Sequence, residues 1–159
     1  MINLEKAGWN CEDVGNIDHR NVKAPYIRMI NYNEGENGDV VFSYDLRLTQ
    51  PNSRYMDTKV LHSLEHFMLV GFQKYFDKKF VSVSPMGCQT GFYLIIINEY
   101  NFEIISEKFK KVLEEILEAD SVPLSTEITC GQANHHTLKE VKELVGEILK
   151  EEKNWKNVM

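Results

Sequence analysis

An α+β fold, an antiparallel sheet packed against helices in a single domain over residues 1–159, is what this sequence predicts, and three observations point to it. Val40 to Leu48 alternates strictly, with Val40, Phe42, Tyr44, Leu46 and Leu48 on one side and Val41, Ser43, Asp45 and Arg47 on the other. That is the period of a strand with one covered face. Residues 102–119 instead repeat Ile105, Phe109, Val112, Leu113, Ile116 and Leu117 at helical spacing, with Lys and Glu filling the opposite face. The 159 residues are 43% hydrophobic and 26% charged, enough for one domain with a real core and little room for a second.

Taken in order, residues 1–17 carry Gly8, Asn10, Gly15 and Asn16 without sustained periodicity, so an irregular N-terminal arm is expected, free to reach outside its own fold. Ala24 to Ile30 reads as the first strand, with Pro25 at its start. The turn formers Glu34 to Asp39 join it as a hairpin to the strand Val40 to Leu48. There Asp45 and Arg47 share a polar side, and taken alone Arg47 is an exposed strand residue paired with Asp45. Gln50-Pro51-Asn52-Ser53 breaks the strand, and Asp57 or Thr58 caps a helix running to about Phe76. Phe80 to Ser84 and Phe92 to Ile97 are strands around the Gly-flanked loop Pro85 to Gly91. After the helix of Phe102 to Ala119, Ile128-Thr129-Cys130-Gly131 ends a short extended segment on a glycine. His135 and His136 then read as residues ahead of a cap at Thr137, with Glu140 in capping-box position and Leu138, Val141, Leu144, Val145, Ile148 and Leu149 inward. The charged tail from 151 to 159 is expected to fray.

Composition narrows the partners. A formal net charge of −6 offers no basic surface for nucleic acid or anionic lipid. The longest apolar run, Phe92 to Ile97, is far too short to cross a bilayer, and the first residues lack an apolar signal-peptide core, so a cytoplasmic protein is expected. Cys11, Cys88 and Cys130 are odd in number and widely spaced, which favours free thiols, a metal ligand or a nucleophile over a disulfide framework.

The chemistry gathers on the helix that begins near Asp57. Leu61, Leu64, Met68, Leu69 and Phe72 give it an apolar side, and His62 and His66, four apart, leave the same side one turn above each other, close enough to bind one ion. Glu65 lies beside His66 as a candidate proton carrier. The order H-x-x-E-H resembles the inverzincin metallopeptidases, and the same spacing also suits a core helix that buries two histidines. Cys130 is placed like a third ligand before its glycine. Two imidazoles and one thiolate leave a fourth position for water or substrate, a catalytic layout, with His135 and His136 as the visible reserve for a closed structural site. Cys88, on a loop of small and polar residues between Gly87 and Gly91, reads as a reactive thiol rather than a buried structural one.

With these residues assembled, the sequence resembles the S-ribosylhomocysteine lyase (LuxS) family from about Asp18 to Trp155. The resemblance is carried by Asp18-His19 with Ala24-Pro25-Tyr26-Ile27-Arg28, by Asp45-Leu46-Arg47 with Gln50-Pro51-Asn52, and by His62-Ser63-Leu64-Glu65-His66. It continues in Ser84-Pro85-Met86-Gly87-Cys88-Gln89-Thr90-Gly91-Phe92-Tyr93 and in Cys130-Gly131-Gln132-Ala133 with His136. The resemblance implies a carbon–sulfur lyase that converts S-ribosylhomocysteine to homocysteine and 4,5-dihydroxy-2,3-pentanedione, the autoinducer-2 precursor. It implies one divalent ion per subunit on His62, His66 and Cys130, ferrous iron with zinc or cobalt able to replace it. Cys88 and Glu65 would move protons, and Arg47 and His19 would contact substrate. It further implies a homodimer with its active site at the subunit interface and an N-terminal arm that reaches the partner. The chain departs from the family pattern at positions that hold substrate. Val14 and Gly15 stand where a serine and a phenylalanine are usual, Val81-Ser82-Val83 replaces Ile-Asp-Ile, and Leu48-Thr49 replaces Phe and often Cys. Two other readings follow from the same residues: a divergent paralogue that acts on or senses a related thioether sugar, and an inverzincin-type peptidase.

Overall fold

The computed structural model describes residues 2–159. Strands β1 (Tyr26–Glu34), β2 (Val40–Arg47), β3 (Phe80–Pro85) and β4 (Gly91–Ile97) form one sheet in the order β1-β2-β4-β3, every neighbouring pair antiparallel. Helices α1 (Thr58–Phe76), α2 (Phe102–Glu118) and α3 (Lys139–Lys150) complete the α+β fold that the patterning predicts. Pro25 immediately precedes β1, and Asp57 caps α1 by accepting a hydrogen bond from the Lys59 amide at 2.8 Å.

Strand alternation sorts the residues onto two faces. Ile27, Met29, Phe42, Tyr44, Leu46, Phe92, Leu94 and Ile96 are buried and join the core with α1, α2 and α3. Opposite them, the other face of the sheet carries Val41, Tyr93, Ile95 and Ile97, of which Tyr93 is 44% exposed. At its far end the same face carries Tyr26, Arg28, Asp45 and Arg47. The side shared by Asp45 and Arg47 is therefore polar but covered: they are 1% and 4% exposed, so Arg47 is not the solvated strand residue that its local sequence suggests.

Helix α1 lies close against α2 at Gly71. A Cβ built there would sit 2.6 Å from Val112 Cγ2, inside contact distance. Gly71→Ala should gain about 1 kcal/mol of helix propensity and lose about 1–3 kcal/mol to overpacking against a buried branched side chain. A lower urea midpoint with an unchanged slope is the expected result.

Over residues 2–17 the arm is irregular apart from a 3-10 turn at Cys11–Asp13; Ala7 and Trp9 are buried, and Trp9 stacks on Tyr44 with centroids 5.4 Å apart. Three local expectations are corrected. The tail does not fray, because Trp155 is 1% exposed against Phe109 and its carbonyl accepts from the Ile27 amide at 2.8 Å. The segment before Cys130 is a turn rather than extended, closed by the Cys130 amide on the Thr126 carbonyl at 2.8 Å. No capping box forms at Thr137: the helix starts one residue later with Leu138 as an uncapped N-cap, and the Thr137 amide donates to Ser63 Oγ at 2.9 Å.

Candidate metal centre and thiol cavity

The donors expected for a metal converge. His62 and His66 project from one side of α1, and the turn ending at Cys130 brings its sulfur to 3.4 Å from His62 Nε2. His62 Nδ1 lies 2.9 Å from the His135 carbonyl oxygen and His66 Nδ1 lies 2.8 Å from that of Pro123. A carbonyl only accepts, so each Nδ1 carries the proton and each Nε2 keeps its lone pair for an ion. The Gln132 amide donates to Cys130 Sγ at 3.3 Å, which holds the sulfur in place.

His136 joins them, which corrects its reading as a residue ahead of a cap. Its Nε2 is 3.6 Å from Cys130 Sγ, and its donor atom and those of His62, His66 and Cys130 all lie within 4.8 Å of one another. Ser63, fully buried on α1, holds it there. The serine hydroxyl donates to the Lys59 carbonyl at 2.7 Å and accepts from the Thr137 amide, leaving its oxygen facing His136 Nδ1 at 3.3 Å as an acceptor. Burial and the neighbouring histidines push His136 down to about 4, so its ring is neutral at physiological pH. The spacing suits an ion: metal–nitrogen bonds of about 2.0 Å and metal–sulfur bonds of about 2.3 Å in a tetrahedron put sulfur and nitrogen roughly 3.5 Å apart, against 3.4 and 3.6 Å here. The donor set fits one divalent cation. Among the described residues, no carboxylate is part of it. That disfavours the peptidase reading, which takes a carboxylate as third ligand. Glu65 stands at the edge, its Oε2 3.7 Å from His66 Nε2 and its side chain 26% exposed.

Cys88 lies in a cavity of about 460 Å³ with His19, Arg47, Asn52, Arg54 and Thr90 on its walls. The loop that carries it is pinned on two sides. The Thr90 carbonyl accepts from the Leu48 and Thr49 amides at 2.9 and 3.1 Å, and the Gln89 carbonyl accepts from the Met56 amide at 2.8 Å. Gly91 permits this approach, since a Cβ there would lie 2.4 Å from the Leu46 carbonyl oxygen. Gly91→Ala should therefore push the loop off β2 and lower turnover at least tenfold while metal content stays at the wild-type level. Steady-state kinetics and metal analysis of one preparation check it.

Arg47 donates from Nη1 to Thr90 Oγ1 at 2.6 Å and reaches Cys88 Sγ at 3.8 Å, while its Nη2 is 3.4 Å from His19 Nε2. Partial burial pushes the Cys88 thiol up, but hydrogen bonds from Thr90 and the charge of Arg47 outweigh it and leave the thiol below its ordinary value. The three sequence candidates Cys88, Arg47 and His19 thus share one cavity, and His62, His66 and Cys130 share another centre. None of the metal donors, nor Glu65, lines the Cys88 cavity. Sequence reasoning kept His136 only as a reserve donor for a structural site, and it did not find the role of Ser63 or the burial of Asp45. A histidine six residues beyond Cys130, on the same loop, was the available signal for the first.

Comparison with known proteins places this geometry in a family. The family model described as S-Ribosylhomocysteinase (LuxS) matches residues 13–159. Proteins named S-ribosylhomocysteine lyase are similar throughout. That of Halobacillus halophilus is 42% identical over 143 residues, 90% of this chain and 93% of the relative. That of Macrococcus caseolyticus is 44% identical over 140 residues, 88% and 86% of the two chains. That of Helicobacter pylori strain P12 is 43% identical over 143 residues, 90% and 92%. A model match over most of the length, together with a cysteine and histidines gathered as a metal-binding cluster, identifies this chain as a member of the S-ribosylhomocysteinase (LuxS) family.

Proposed function

We propose that this chain is an S-ribosylhomocysteine lyase that cleaves its substrate to homocysteine and 4,5-dihydroxy-2,3-pentanedione, the autoinducer-2 precursor. The observation that carries the reading is a His62, His66 and Cys130 donor set, joined by His136, in the same chain as a thiol, Cys88, 3.8 Å from the buried Arg47 guanidinium. When bound, a divalent ion, ferrous iron in this reading with zinc or cobalt able to replace it, supplies Lewis acidity to the sugar's carbonyl and hydroxyl oxygens. The protein's own groups do the rest. Cys88 as thiolate takes a proton from one sugar carbon and returns it to the next as the carbonyl migrates, and then takes the proton whose loss starts β-elimination. Arg47 keeps that sulfur charged and, with His19, binds the substrate's hydroxyls. As the carbon–sulfur bond breaks, its electron pair leaves with the homocysteine sulfur, and Glu65 supplies the proton that the sulfur takes up.

The working unit in this reading is a homodimer of single-domain subunits with the active site at the subunit interface. Two observations support it. An antiparallel sheet facing solvent alternates to polar residues on its outer side; here Asn33, Ser43, Ser82 and Ser84 flank a strip of larger apolar side chains, Val41, Tyr93, Ile95 and Ile97, of the kind that marks an interface. The thiol cavity also has no metal donor on its walls, so neither half is a complete site by itself. Ile95→Asp should yield a particle of about 18.5 kDa instead of twice that mass, with turnover lost. Light scattering behind size exclusion reads this directly. A cytoplasmic setting agrees with three free cysteines and with the lack, among the described residues, of any helix long and apolar enough to cross a membrane.

The test is to give metal-loaded, reduced protein S-ribosylhomocysteine and follow free thiol with a chromogenic disulfide. Catalytic release of thiol is expected, and none would reject the substrate.

A further inference from the structure

Arg28 and Asp45 are buried charges that the proton transfers do not use. They face each other across β1 and β2, with Tyr26 opposite Arg47 in the same register. Asp45 accepts from Arg47 Nε at 3.1 Å and Nη2 at 2.8 Å, from Arg28 Nη2 at 3.4 Å and from the Tyr26 hydroxyl at 3.3 Å. Arg28 in turn donates from Nη1 to the carbonyl oxygens of Asp13 at 3.0 Å and Gly15 at 2.5 Å, both on the arm. Arg47 extends to Cys88, Thr90 and His19. One carboxylate thus holds two guanidiniums, of which one grips the arm and the other touches the thiol.

We propose that Asp45 is a positioning residue for the reaction: braced by Arg28 against the arm, its carboxylate fixes the Arg47 guanidinium against Cys88 and His19. Two buried cations that share one anion are stable only while the anion is there. Without it they repel, and each is a buried charge without a partner. Arg47 lines the open thiol cavity and has a route to water, whereas Arg28, 5% exposed, lines a small void between the arm and β1. Arg47 is therefore the one that leaves, and Cys88 loses the cation that lowers it. Charge alone predicts the opposite sign, since removal of an anion near a thiol eases its ionisation. The direction of the thiol shift separates positioning from simple electrostatics.

This inference rests on Cys88 being the proton-transfer thiol of the proposed reaction, but its test needs no substrate. The metal-loaded, full-length protein is alkylated with iodoacetamide across a range of pH, and modification at Cys88 is followed by peptide mass mapping. In Asp45→Asn the Cys88 titration should move up by about one unit, roughly tenfold less alkylation at pH 7. Arg47→Met should move it in the same direction, and the double variant should move it no further. A Cys88 titration that is unchanged or lower in Asp45→Asn overturns the proposal. If the Asn variant does not fold, Asp45→Glu keeps the buried charge and shifts the carboxylate by one methylene: a raised titration supports positioning, and a wild-type titration overturns it. Failure of the substrate assignment looks different, namely no thiol release by the wild type while the alkylation shift persists.

Discussion

Cys130→Ala should leave the purified protein without its metal. Without Cys130 the imidazoles of His62, His66 and His136 remain, but the set loses its one sulfur donor, which the loop brings to 3.4 Å from His62 Nε2. Removal of groups that merely orient metal ligands costs about 10–100-fold in metal affinity, so loss of a thiolate ligand should cost more than 100-fold. Competition with a chromophoric chelator measures it. With cobalt as the probe, the thiolate-to-metal charge-transfer band should vanish in Cys130→Ala and persist in Cys88→Ala. A band retained by Cys130→Ala would assign the thiolate elsewhere. The fold should survive, because Cys130 sits in a turn outside the hydrophobic core.

Cys88→Ala should separate chemistry from metal binding. General acid–base groups contribute about 10²–10⁴-fold to rate, and one thiol is assigned every carbon-to-carbon proton transfer here, so a fall in kcat toward the upper end is expected with metal content unchanged. Cys88→Ser should be nearly as slow, since a hydroxyl beside Arg47 stays protonated where the thiol ionises. The wild-type pH profile has a defined sign. Cys88 lies below its ordinary value, so its thiolate is lost as pH falls through that lowered value, and activity should drop on the acid side. Alkylation of Cys88 should titrate at lower pH than an unstructured peptide thiol, near 8.5. A profile that matches the free thiol would remove the role given to Arg47.

Periodicity located the strands and helices well because each buries one face, and the apolar positions of β2, β4, α1 and α2 record that directly. What covers the opposite face is not recorded locally. Asp45 and Arg47 alternate like solvated residues, yet the arm carbonyls, Arg28 and Tyr26 close over them. Trp9 and Trp155 carried a readable signal, since a large aromatic side chain in an otherwise polar terminal segment is an anchor, and both are buried. His62, His66 and Cys130 were legible from spacing and from the glycine after the cysteine. His136 was legible only as a reserve donor, because Thr137 and Glu140 mimic a capping box. Ser63, from a helix 74 residues away in sequence, takes the Thr137 amide instead and turns His136 toward the metal donors. A long-range hydrogen bond had overridden a local motif.

The most direct test of the whole account reads metal occupancy and thiol release on one preparation. Stripped protein is titrated anaerobically with ferrous iron while homocysteine release from S-ribosylhomocysteine is followed. The rate should rise in proportion to bound metal and level off at one ion per chain. Turnover by fully stripped protein, or full occupancy without thiol release, would contradict it.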